Sequence, residues 1–181
     1  MHELGSVMVE NYNSDLKSFL EKGNGDALKL LELIVKNFPS FYDSSIYKGG
    51  EIIFHKRVQF LVSDISICQM FKKQCIITRN IDQLTACADY KLPQILRRFG
   101  IFEYADSLRD KIDDKVEIPH DSEEEIEIRA NTIWVVEYIK EQVKEKSPDI
   151  TSMSIDDHLW LASQEKFADG KPYHRTRTTS Y

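Results

Sequence analysis

SEEEIEIRANTIWVVEYIKEQVKEK, residues 122–146, is the stretch from which the fold class is read. Ser122 stands three residues before Glu125, the pattern in which a hydroxyl and a carboxylate cap a helix start reciprocally. Ile126, Ile133 and Val136 then recur on one side at helical spacing. Ser147-Pro148 stops the run, because proline cannot donate to a continuing helix. The spacing predicts the longest helix of the chain, ending near Lys146. Arg129 and Glu137 both intrude on its apolar side. Charges taken out of water are costly unless paired. The two are therefore members of an ion-pair network or the polar floor of a pocket.

Working outward, the same helical signature recurs. Leu4, Val7, Met8, Leu16, Phe19 and Leu20 predict one or two short helices. Gly23-Asn24-Gly25 is a turn, and Asp26 is placed to cap a helix carrying Leu30, Leu31, Ile34, Val35 and Phe38. Tyr47-Lys48-Gly49-Gly50 is a turn, and Ile52 to Phe54 is briefly extended at most. A helix follows from about His55 to Phe71, with Val58, Leu61, Val62 and Ile65 on its apolar face. Lys72 to Arg79 reads as a loop. Asn80, three residues before Gln83, is expected to open a helix through Leu84, Cys87 and Ala88. Pro93 is expected to start the next helix and Gly100 to end it. Asp89 then lies in a tight joint between two helices. Tyr104 to Ile112 is expected to be helical. Ser154 and Asp157 suggest a further cap, ahead of a last helix with Leu159, Trp160 and Phe167. The sum is an all-α fold, one helical domain over residues 1–181, with no sheet.

Composition narrows the function classes. The chain has 181 residues and a formal charge of -6, from 24 basic and 30 acidic side chains. Such a balance argues against a general electrostatic grip on nucleic acid or an anionic membrane, while leaving room for a local basic pocket. No stretch of about 18 apolar residues occurs, so no membrane span is expected. Glu3 and Glu10 interrupt the first residues, which do not read as a signal peptide. Cys68, Cys75 and Cys87 lack metal or disulfide spacing and suggest thiols of a reducing, cytoplasmic compartment. The histidines have no tight metal spacing, and neither a glycine-rich phosphate loop nor a nucleophile elbow is present. No metal and no cofactor are expected.

Four constellations can carry chemistry. In FHKRVQFLVSD, residues 54–64, Lys56 and Arg57 begin a mostly apolar helix on which Asp64 follows. The bland alternative is that both cations extend along the surface and Asp64 pairs with a neighbour. In LTACADYKLPQIL, residues 84–96, Asp89 either accepts backbone N–H bonds at the start of the Pro93 helix or activates a water and meets a developing cation. Arg129 and Glu137 form the third. Tyr173, His174, Arg175 and Arg177 form the fourth: a ring, an imidazole and two guanidiniums that can hold a phosphate or carboxylate, unless the segment is simply frayed. Taken by themselves, the residues leave an enzyme and an interaction module both open.

These segments, with EIEIRANTIWVVE at residues 125–137, IDDHLW at 155–160 and PYHRTR at 172–177, together resemble the queuosine salvage protein family. The resemblance runs in register from near residue 1 to Tyr181. It implies a helical fold similar to helix–hairpin–helix DNA glycosylases. It also implies hydrolysis of the N-glycosidic bond of queuosine 5′-monophosphate, releasing queuine, a deazaguanine base destined for tRNA. By the motif match, Asp89 and Lys56 are the catalytic pair and are expected to converge on one cavity, and Asp64 contacts the ligand. Tyr90 belongs to the same motif as Asp89 and is assigned to the substrate. Arg129 and Glu137 are expected to read polar edges of the base or cyclopentenediol, and His174, Arg175 and Arg177 the phosphate. A small-molecule substrate is implied, with no direct tRNA binding and no membrane. The chain departs from the family pattern at His55 (usually Tyr), Cys87 (usually an aromatic residue) and Lys91 (usually Arg). The resemblance covers the C-terminal part of the family, whose N-terminal aromatic segment is expected to be missing here. The alternative reading is an impaired relative acting as a helical interaction module.

Overall fold

A computed structural model of the chain describes residues 2–71, 77, 79–165 and 170–181. Among them it is mostly helical, with eight α-helices and one small sheet. The chain forms two compact units: Met1–Asp43 with His55–Thr85, and Ser44–Phe54 with Ala86–Tyr181.

The first unit contains α1 (His2–Tyr12), α2 (Leu16–Glu21), α3 (Ala27–Asn37) and α4 (Lys56–Phe71). Their starts follow from local chemistry. Asp15 accepts from the Ser18 amide at the head of α2, and Asp26 accepts from the Leu28 and Lys29 amides at the head of α3. Those bonds hold the Asp26 carboxyl below its ordinary range. Leu30 and Ile34 on α3, and Val58 and Val62 on α4, are buried where these two helices pack. Tyr12, Phe19, Phe38 and Phe41 meet edge to face in a chain of rings 4.8, 5.6 and 6.3 Å apart. Gly23 is a close-approach site, where an added Cβ would stand 3.0 Å from Leu30 Cβ.

The second unit contains β1 (Ser44–Tyr47), β2 (Gly50–Ile53), α5 (Lys91–Arg98), α6 (Asp106–Asp113), α7 (Glu123–Val143) and α8 (Ser152–Ser163). β1 and β2 pair antiparallel, Ser44 opposite Ile53 and Tyr47 opposite Gly50. Lys48 and Gly49 both take positive φ, 49° and 84°, as a tight hairpin turn requires. The hairpin is tied to α7 by a Tyr47–Glu127 bond, and to the residues just ahead of α7 by a Ser45–Asp121 bond of 2.6 Å. Ala86, Leu92, Val136 and Ile155 form a core between α5, α7 and α8. Burying each large side chain of such a cluster contributes roughly 1.5–3 kcal/mol. Ile112, Ile118 and Ile128 form a second cluster under Tyr104 and Leu108. Gly100, at φ 71°, closes α5: its amide bonds to Arg97 and the Ile101 amide to Leu96, a glycine-ended helix as expected.

Several expectations are corrected. The fold is not purely α. The turn at residues 47–50 is legible in the sequence; the run from Ile52 is too short to decide a strand, and the structure pairs β2, Gly50–Ile53, with β1. The helix expected from Asn80 is absent. Asn80 sits at φ 59°, a left-handed conformation unsuited to an N-cap, and only a single 3₁₀ turn, Ile81–Gln83, follows. Residues 84–89 belong to no helix or strand. Asp89 therefore ends an irregular segment and does not sit between two α-helices. α5 starts at Lys91, so Pro93 falls within its first turn, where its missing N–H still costs nothing. α6 starts two residues later than Tyr104, at Asp106. Thr151, with Ser154 as its reciprocal partner, caps α8. Phe167 and Cys75, and most of the loop expected at 72–79, lie outside the described residues.

Candidate functional site

The Asp89 segment is held by side chains standing in for a ladder. In the first unit, Gln59 of α4 is buried and grips Thr85 twice: Oε1 accepts from the Thr85 amide at 2.7 Å and Nε2 donates to Thr85 Oγ1 at 3.0 Å. In the second unit, Asp156 of α8 accepts from the Cys87 amide, and Cys87 Sγ lies 3.9 Å from Met153 Sδ. Ala86, Cys87 and Ala88 are buried. Asp89 Oδ1 then accepts from the amides of Lys91, at 2.7 Å, and Leu92, at 3.0 Å. The carboxylate is half-buried at the head of α5, where a helix N-terminus favours negative charge. Gln59 and Asp156 were not singled out for this work. A carboxamide within an otherwise apolar helical run was the available signal for Gln59.

Tyr90 turns away from the core into an open cavity of about 570 Å³ whose walls include Tyr173, His174, Arg175, Arg177 and Tyr181. The Tyr90 and Tyr173 rings lie 4.7 Å apart, and Lys91 Nζ stands 5.5 Å from the centre of the Tyr173 ring. Segment 170–181 is seated, not frayed. The Arg175 carbonyl accepts from the Ile118 amide at 2.7 Å, and Glu117 and Arg175 form a parallel bridge. The Arg175 and Arg177 side chains are exposed at this cavity. Four residues chosen from the sequence, Tyr90, His174, Arg175 and Arg177, thus share one wall set.

Behind the cavity lies a buried polar cluster. Arg129 is 1% exposed; its guanidinium stands 3.9 Å from the Phe54 ring and 5.0 Å from the Tyr181 ring. Its Nε is 3.8 Å from Oε1 of Glu125, a carboxylate with 0% exposure. The Tyr181 hydroxyl donates to that same oxygen at 3.0 Å. Burial pushes the Tyr181 phenol above its ordinary range, with Glu125 adding to it. Burial, helped by Arg129, lowers His174 to about 4, so its imidazole is neutral at ordinary pH. Glu125 and Tyr181 escaped the sequence reading: Glu125 was taken only as a helix-capping group. It does accept from a backbone amide there, that of Asp121.

Three other chosen residues lie each within its own unit. Glu137 pairs with Lys140 and accepts from Ser152 on the side of α7 facing α8. Lys56 and Asp64 belong to the first unit. Lys56 opens α4, its amide bonded to Asp43 at 3.1 Å and its Nζ 5.6 Å from the Phe60 ring; Asp64 is exposed further along. His120, Asp121 and Glu125 offer donor atoms within 4.8 Å of one another. Both carboxylates already have protein partners, Asp121 with Ser45 and Glu125 with Tyr181.

Residues 1–181 match the family described as queuosine salvage protein. The chain belongs to that family. It is 36% identical over 181 residues to a Sphaerobacter thermophilus protein named queuosine 5′-phosphate N-glycosylase/hydrolase. Proteins of the same name from Dictyostelium discoideum and Mus musculus are also 36% identical, over 181 and 191 residues. In each case the match takes in 100% of this chain and 56% of the relative. The chain thus spans about half the length of the queuosine salvage relatives it matches.

Proposed function

We propose that this queuosine salvage family member hydrolyses the N-glycosidic bond of queuosine 5′-monophosphate and releases queuine, as the names of its relatives suggest. The observation that carries the reading is the cavity at Tyr90, directly after Asp89, lined by three tyrosine rings and two exposed guanidiniums. Its chemistry suits a nucleotide: rings for the flat or hydrophobic parts, and guanidinium forks for a phosphate. Cleavage proceeds through a ribosyl oxocarbenium ion. The Asp89 carboxylate supports that cation and orients or deprotonates the attacking water. The leaving deazapurine lacks N7 as a protonation site, which shifts weight onto the sugar. Lys56 is assigned to the same reaction by the motif match, and Asp64 to ligand contact. The helical architecture is read as akin to helix–hairpin–helix glycosylases on the same ground.

The test is queuine release from queuosine 5′-monophosphate, followed by chromatography, with Asp89→Asn and Lys56→Ala beside the unaltered chain. Asp89→Asn keeps an acceptor for the Lys91 and Leu92 amides and removes the charge. A loss of at least about 100-fold is expected. Near-normal turnover would remove Asp89 from the mechanism.

A second reading, an interaction module, is favoured by one observation. Trp134 and Tyr138 lie one turn apart on α7, each 60% exposed. No turnover under any condition, together with a protein partner that protects this pair, would favour it.

A further inference from the structure

His174 and Tyr181 stand at the two ends of one loop and touch. Their ring centroids are 6.1 Å apart, and His174 Nε2 lies 3.3 Å from the Tyr181 hydroxyl oxygen. His174 is 2% exposed. The Tyr181 hydroxyl reaches on to Glu125, and its ring lies against Arg129, so both loop ends are seated in one buried cluster. Between them, Arg175, Thr176, Arg177 and Thr178 alternate along the cavity wall. The Arg175 carbonyl adds a third point of attachment at the Ile118 amide. A guanidinium on a loose chain loses backbone and side-chain freedom when it grips an anion; on a loop already closed, part of that loss precedes binding.

We propose that Tyr181 is a positioning residue: its hydroxyl clasps His174 and Glu125, closes loop 174–181, and so presets Arg175 and Arg177 for a phosphate monoester. The preference for a 5′-phosphorylated nucleoside over the bare nucleoside then depends on that hydroxyl. This rests on the phosphate-binding reading of the same cavity. Tyr181→Phe keeps the ring against Arg129 and deletes only the clasp.

Calorimetry with queuosine 5′-monophosphate and with queuosine, on chains that also carry Asp89→Asn so that the ligands are not consumed, gives the preference as a ratio of Kd values. Hydrogen exchange of the Ile118 amide reports the seating of the loop without any turnover. The unaltered chain is expected to prefer the monophosphate by at least about tenfold. Tyr181→Phe is expected to lose about five- to tenfold of that ratio, with nucleoside binding changed less than about twofold. Its Ile118 amide should exchange faster when free and slow again with monophosphate, while the α5 amides stay as they were. A Tyr181→Phe ratio equal to that of the unaltered chain overturns the clasp. So does a fall accompanied by equal acceleration of the α5 amides, which marks general loosening or loss of fold. Absence of any phosphate preference in the unaltered chain overturns the phosphate reading itself, and the clasp with it.

Discussion

Asp89 caps a helix and is proposed to serve the reaction, and a single substitution can separate the two. Its Oδ1 caps α5 through the amides of Lys91 and Leu92, and its charge is the one assigned to the reaction. Asp89→Ala should cost about 1 kcal/mol of stability, the usual value of a lost cap, while Asp89→Asn should cost a few tenths. Denaturant unfolding of the two variants measures this. Equal losses would mean that the cap contributes nothing. His174 sets a pH dependence of its own. Its folded-state value of about 4 lies below the ordinary 6.5. Between those values the unfolded chain binds the proton and the folded chain resists it, so stability rises with pH. The contribution is fully present above pH 6.5, falls as pH drops from 6.5 through about 4, and amounts to about 3 kcal/mol. His174→Gln, which does not titrate, should flatten that part of the profile. An unchanged slope in urea midpoints between pH 4 and 6.5 would assign the dependence to other groups.

At the scale of elements, residues 84–89 are an irregular run in which the Thr85 and Cys87 amides depend on distant side chains. Backbone groups away from water need a partner, and here the partners are a carboxamide and a carboxylate. Asp156→Ala strands the Cys87 amide in a buried place and should cost about 1–3 kcal/mol. The same change should perturb the seating of Asp89, two residues on, and lower turnover more than its stability loss explains. Turnover at a temperature where the variant is fully folded checks it; unaltered turnover there would free Asp89 from dependence on Asp156.

For the whole molecule, the limiting fact is that the match takes in 56% of the S. thermophilus relative. Aromatic stacking on a base is worth about 1–3 kcal/mol, so any ring that the rest of such a relative added to the pocket would raise its rate. The 181 residues alone are expected to release queuine more slowly than that full-length relative. Parallel assays at equal concentration decide it, and equal rates would show that these residues build a complete pocket. No helix among the described residues is long and apolar enough to cross a membrane.

How much was legible follows from how far each feature reaches along the chain. α3 behind Asp26, α5 ending at Gly100 and α7 opening at Ser122 were readable because caps and apolar periodicity act within one or two turns. The motif match pointed to the queuosine salvage family, which the match over residues 1–181 shows. The hairpin, the irregular run after Asn80, and the membership of Glu125, Tyr181 and Phe54 in one buried cluster were decided only by tertiary structure. Extended backbone takes its hydrogen bonds from partners far along the chain, and local periodicity carries no trace of them. The same holds for Arg129: its sequence position marked it as a charge on an apolar stripe, and only folding supplied the carboxylate and the two rings that make its burial tolerable.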